Sequence, residues 1–201
     1  IGYPAPYHAT PERLRKAAKW IDSPMVCAHW GSAGMGEDVL KYLCDIPVYF
    51  DTAFGYGAIS KAIAQRIREE RFNKLIKQYM ETAEVRQMDE YIQHGTTTTL
   101  THCHNVAWLC FLVNEYLHLK AKEKELVEAA FLHDFYLYDW HDGNPVRKTH
   151  GFDHPYIACQ NATEIFGISD KSKAAIKSHM WPLNITEIPR SREAVIICIV
   201  D

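Results

Sequence analysis

The sequence predicts a mainly α fold: a helical bundle over residues 72–201, preceded by a small α/β segment with a few parallel strands over 1–71. Three observations carry this. Strand-like and helix-like stretches alternate at short intervals up to Arg71, as in βαβ units. Beyond Phe72 every apolar periodicity is helical. Between them lies the charged run Glu69-Glu70-Arg71-Phe72-Asn73-Lys74, read here as the boundary.

The first segment reads in order. Pro11–Ile21 is a helix, with Thr10 as N-cap and proline at the first helical position. Met25–His29 is a short buried strand, and Gly31, Gly34 and Gly36 make the loop after it. Glu37–Cys44 is a helix, Val48–Asp51 a strand and Ala58–Glu70 a helix. In the second segment helices are expected at 72–93, 99–119, 122–138, 154–166, 170–180 and 190–201. Breakers separate them: Gly95, the Asp142-Gly143-Asn144-Pro145 turn, Gly167, and Pro182 through Pro189. Thr99 is placed to cap the helix that follows it.

Composition bounds the function. With 201 residues, 47% of them hydrophobic, the chain buries a real core and is not disordered. With a formal charge of -3 a large basic surface is not expected, which leaves room only for a local patch, and no DNA or RNA partner is expected. No apolar run approaches the ~18 residues of a membrane span. The six cysteines form no Cys-x-x-Cys pair and mostly sit in apolar runs. They read as free thiols of a reducing, cytoplasmic compartment, and no signal peptide is visible.

Histidine is the unusual residue: eight of the 11 fall between His94 and His154. His133 lies on the apolar face formed by Leu126, Ala129, Ala130 and Leu137, with Asp134 beside it. His102 leads Val106, Leu109 and Val113; His154 leads Ile157, Ala158 and Ile165; His179 follows Ala175 and Ile176; Asp201 follows Ala194, Ile197 and Cys198. One such residue in a core is satisfied by a hydrogen bond. Five helices that each bring one to an apolar face argue for a metal site inside a bundle. His102 and His104 both face apolar neighbours, so periodicity does not choose between them.

These residues resemble the HD superfamily of metal-dependent phosphohydrolases. His102 followed by Val106-Ala107 looks like its first-helix motif, Phe131-Leu132-His133-Asp134 its namesake motif and Val200-Asp201 its final aspartate. His154-Pro155 and Ile176-Lys177-Ser178-His179 resemble the histidines of its two-metal members. The resemblance favours His102 over His104. It departs at Leu137, where many members carry lysine, and at Met180, where members of the HD-GYP type carry a second histidine. The GYP motif is absent, so cyclic-di-GMP hydrolysis is not implied.

The resemblance implies metal ligation by His102, His133, Asp134, His154, His179 and Asp201, with Asp134 as the catalytic residue bridging one or two ions. Mixed imidazole and carboxylate donors suit Fe, Mn, Zn, Co or Ni. The expected reaction is hydrolysis of a small phosphorylated metabolite or nucleotide by metal-activated water. Arg147, Lys148 and His150 lie in the loop before His154 and are the candidate substrate-binding residues. The alternative is a non-catalytic metal- or nucleotide-binding sensor of the same fold. Asp201 ends the sequence, and its helix is expected to continue.

Residues 8–60 resemble a piece of an amidohydrolase-type (β/α)8 barrel, carried by Pro11-Glu12-Arg13-Leu14, Val26-Cys27-Ala28-His29-Trp30-Gly31 and Val48-Tyr49-Phe50-Asp51-Thr52. His29 fits a ligand position at a strand end, but the first-strand His-x-His and the late aspartate strand are missing. An incomplete barrel without amidohydrolase activity is expected.

Overall fold

A computed structural model describes residues 10–21, 25–27, 36–46, 48–50, 61–142 and 149–201. The readings at His29, Gly31, Gly34, Arg147 and Lys148 fall outside the described residues, as does the 143–145 part of the turn. The protein is mainly helical and divides into two compact units, Ile1–Lys74 and Leu75–Asp201.

In the first unit α1 spans Pro11–Ala18, and the Thr10 hydroxyl accepts the Arg13 N–H at 3.4 Å. Strand β1 (Met25–Cys27) pairs in parallel with β2 (Val48–Phe50), Met25 opposite Val48, and α2 (Gly36–Tyr42) lies between them in sequence. Cys27, Val39, Leu43, Cys44, Val48, Ala64 and Ile67 form one buried cluster. Arg15 forks onto Asp45, with Nη2 to Oδ2 at 2.6 Å, tying α1 to the turn after α2. Two paired strands are all the parallel sheet found among the described residues.

Helix α3 runs from Lys61 to Met80, straight through the charged run expected to be a boundary. The reason is local. The run contains no glycine or proline, and its charges sit at helical spacing, with Lys74 Nζ 3.8 Å from Glu70 Oε1. Such a pattern solvates a helix and does not break it.

The expectation of helices alone beyond Phe72 is corrected in the second unit. The predicted 72–93 helix is three pieces: the end of α3, α4 (Ala83–Gln87) and a 3₁₀ turn at Met88–Glu90. An antiparallel hairpin follows, β3 (Ile92–His94) with β4 (Thr97–Thr98). Gly95 turns it at φ 56°, a conformation that costs glycine little, and the β-branched threonines favour extended backbone. Thr98, not Thr99, caps the next helix, accepting the Thr101 N–H at 3.2 Å. Thr99 is its first residue and is buried.

Helix α5 (Thr99–Tyr116) packs on α6 (Glu123–Leu132), in which every residue from Leu126 to Leu132 is buried. Buried Glu128 in that stretch is satisfied: Tyr79 Oη donates to Oε2 at 2.8 Å and Ser172 Oγ to Oε1 at 2.5 Å. α6 stops at Leu132, not at 138. The chain turns there, with the Phe135 N–H on Leu132 O and the Tyr136 N–H on Asp134 O, and Leu137 takes φ 59°. α7 (His150–Phe166) starts four residues earlier than expected and ends on Gly167 at φ 61°, whose N–H reaches Thr163 O. α8 (Asp170–Ser178) is capped by Ser169, and α9 (Arg192–Val200) by Ser191. Both pack on α6, and α9 also on α5 and α8. All six cysteines are free. Among the described residues no helix is long and apolar enough to cross a membrane.

Candidate metal centre

Five helices deliver six side chains to one place. His102 sits one turn into α5 and His154 in the second turn of α7. His133, His179 and Asp201 are the C-terminal caps of α6, α8 and α9, and Asp134 follows His133. Three helix C-termini therefore meet at the cluster, and their carbonyl ends favour a cation.

The donor atoms form two groups, His102-His133-Asp201 and Asp134-His154-His179. In the first, His102 Nε2 lies 2.9 Å from Asp201 Oδ1 and 3.3 Å from His133 Nε2, and His133 Nε2 lies 3.3 Å from Asp201 Oδ1. In the second, His154 Nε2 and His179 Nε2 are 2.9 Å apart, at 3.2 and 3.7 Å from Asp134 Oδ1. Asp134 faces both groups, because its Oδ2 lies 3.4 Å from His133 Nε2 and 3.8 Å from His102 Nε2. A third group joins Cys103 to His133 and Asp134; burial pushes that thiol up, keeping it protonated.

The backbone sets the tautomers. His133 Nδ1 donates to Ala130 O at 2.8 Å, His154 Nδ1 to His150 O at 2.7 Å and His179 Nδ1 to Ile176 O at 2.7 Å. A carbonyl only accepts, so each Nδ1 carries hydrogen, and in the neutral ring Nε2 keeps its lone pair facing inward. This is how histidines are held when they ligate a metal. Asp134 Oδ1 fits the same assignment, since it is fully buried and has no hydrogen-bond partner. An unpartnered buried carboxylate oxygen is costly unless a cation meets it.

Electrostatics agree. Burial opposes the charge on His133, yet the neighbouring carboxylates, Asp134 foremost, hold its imidazole well above the ordinary value. Asp134 and Asp201 are buried too, but His133 keeps both well below the usual carboxylate range. Burial and then the charge at His133 push His179 down to about 4, so it stays neutral. The cluster thus gathers anionic oxygens around a charged His133 beside a neutral His179, a centre that attracts positive charge.

All six residues expected from sequence as ligands come together here. His104 stays out of these groups, half-buried on another face of α5. His150 was expected in a loop and instead opens α7: its ring stacks on Trp140 at 4.9 Å and His154 at 4.7 Å, and Tyr138 Oη lies 2.8 Å from its Nδ1. Sequence reasoning missed Gln93, whose Nε2 donates to Asp134 Oδ2 at 2.7 Å, and the hydroxyls of Tyr136 and Thr99 behind it. It also missed exposed His94, edge-on to His102 at 5.8 Å. The sequence predicts helix as far as residue 93 and no strand after it, which hides the approach of residues 93 and 94 to Asp134 and His102. Comparison with known proteins finds no matching family model, no matching curated protein and no matching solved structure.

Proposed function

We propose that this chain is an HD-type metal-dependent phosphohydrolase, acting on a phosphomonoester or phosphoanhydride of a small metabolite or nucleotide. One observation carries the reading: the buried carboxylate of Asp134 belongs to the His154-His179 group and lies 3.4 Å from His133 of the other, and its Oδ1 has no hydrogen-bond partner. His102, His133 and Asp201 would hold one ion, His154 and His179 a second, with Asp134 serving both. The nitrogen and oxygen donors suit Fe, Mn, Zn, Co or Ni. Such an ion, when bound, lowers the pKa of water towards neutrality and draws charge from a phosphoryl oxygen.

The chain's own residues do the rest. The backbone carbonyls at Ala130, His150 and Ile176 hold three imidazoles in the ligating tautomer. Asp134 stays ionised at neutral pH and presents an oxygen to each half of the site. Substrate would approach past His102, whose side chain is 17% exposed, because those of His133 and His179 are closed off at 0% and 1%. His94 stands on that open side and can donate a ring N–H to a phosphate oxygen.

A specific observation favours the second reading, a non-catalytic metal- or nucleotide-binding module. Among the described residues no lysine or arginine is a hydrogen-bond or ion-pair partner of the six ligands, and Leu137 stands where many HD members carry lysine. The test is elemental analysis of the protein and of Asp134→Ala, with a phosphatase screen in Mn2+. About two ions per chain, lost together with phosphate release in the variant, support the hydrolase. Bound metal without phosphate release favours the second reading. A protein that takes up no ion on loading with Mn2+ or Fe2+ overturns both.

A further inference from the structure

Gln93 sits on β3, 41 residues before Asp134, and is 8% exposed. Its amide has two ends that the surroundings distinguish. A carboxylate only accepts, so the NH2 end must face Asp134 Oδ2, at 2.7 Å. The carbonyl end then receives the Tyr136 hydroxyl at 2.5 Å. Thr99 Oγ1, with one hydrogen to give, lies 3.1 Å from Tyr136 Oη and 3.3 Å from both Gln93 Oε1 and Tyr91 O, and so packs behind the pair as a shared hydroxyl. Thr99 and Tyr136 are 1% and 2% exposed. The hydrogens of Tyr136 and Gln93 therefore point the same way, from Tyr136 through Gln93 to Asp134.

We propose that Gln93 is a positioning residue for the metal centre: locked by Tyr136 and Thr99, its amide fixes the Asp134 carboxylate so that Oδ2 faces His102 and His133 while Oδ1 is left free for the ion at His154 and His179. The inference rests on the metal reading of the site. Its physical content is rotational. A carboxylate with one oxygen anchored cannot turn its plane, so the other oxygen stays aimed. Without the anchor it can swing both oxygens toward one imidazole pair. Tyr136 acts only through Gln93, by preventing the amide from flipping and setting an oxygen against the carboxylate.

The test is calorimetric titration of the metal-free protein with Mn2+, comparing wild type, Gln93→Leu, Tyr136→Phe and the double variant. Circular dichroism and thermal melting of each metal-free protein run alongside. Wild type is expected to bind two ions per chain. Gln93→Leu keeps its fold and binds the second ion about 10- to 100-fold more weakly, the usual effect of removing a ligand's supporting hydrogen bond. Tyr136→Phe weakens binding in the same direction, and adds nothing in the Gln93→Leu background because its effect runs through the amide. A purely structural network would lower the melting temperature and leave both affinities alone; that result overturns the proposal. So does additive weakening in the double variant. Should Gln93→Leu fail to fold, Tyr136→Phe carries the same test, and unchanged affinities there overturn it. A wild type that binds no Mn2+ overturns the metal reading itself, a different failure from two ions held equally well by every variant.

Discussion

His154 and His179 point their Nε2 atoms at each other across 2.9 Å, while the Nδ1 of each is committed to a backbone carbonyl. Neutral His179 offers only a lone pair there. Asp134 Oδ1, an acceptor too, lies within 3.7 Å of both nitrogens. A cation between the rings would meet all three atoms at once.

Acid should therefore destabilise the metal-free protein in a defined window. His179 is depressed from about 6.5 to about 4, so the unfolded chain takes up its proton first. Its contribution to stability is complete above pH 6.5 and is lost as pH falls towards 4. His133, raised above its ordinary value, contributes fully below pH 6.5 and loses this only as pH rises through its folded pKa. Depressed Asp134 and Asp201 begin to lose theirs only near the ordinary carboxylate value of 3.8. Urea unfolding at pH 7, 5.5 and 4.5 is expected to give falling stability, by up to about 1.4 kcal/mol per pH unit from this one proton. His104 is lowered by burial as well, so the decisive comparison is His179→Gln, which flattens the dependence. Equal slopes in the two proteins would refute the assignment.

The two halves of the centre differ in exposure, and a chelator should feel it. His102 and Asp201 are 17% and 18% exposed, against 6% for His154 and 1% for His179. Stopped-flow removal of Mn2+ by excess EDTA is expected to be biphasic, the fast phase belonging to the ion at His102 and the slow phase to the ion at His154. His102→Ala should abolish the fast phase and leave the slow one. A single phase in the two-ion protein would argue against separate environments.

Glu128 separates stability from the centre. Its two oxygens accept from Tyr79 and Ser172 inside the bundle. Glu128→Ala strands both hydroxyls and leaves a void, with an expected cost of about 2–4 kcal/mol in urea unfolding. Glu128→Gln keeps one acceptor and is expected to cost about half as much. Neither variant should change metal stoichiometry, measured by elemental analysis; lost metal would mean that Glu128 supports the ligands.

Much of this was legible in the sequence because burial writes itself into helical spacing. His133, His154 and His179 fall among apolar neighbours at intervals of three and four, and these are the residues that converge. Gln93 was not legible, because nothing local distinguishes a glutamine aimed at a carboxylate 41 residues away from one in water. The hairpin was missed because strands of three and two residues are too short to show alternation. The two units divide at Lys74, where the charged run ends, but the chain crosses that divide inside α3, because charges at helical spacing continue a helix. His150 lies outside the predicted helix although Thr149 stands before it at the N-cap position of α7; the Thr149 side chain makes no capping bond.

His102 and Asp201 touch although 99 residues separate them in sequence. An ion gripped by both would close a ring spanning those 99 positions, and only in the folded state, because the unfolded chain scatters the ligands and releases the ion. Its contribution to stability is then set by mass action, growing with the ratio of free ion to dissociation constant. On that account α9 works as a clasp whose grip tightens or slackens with the concentration of the ion around it.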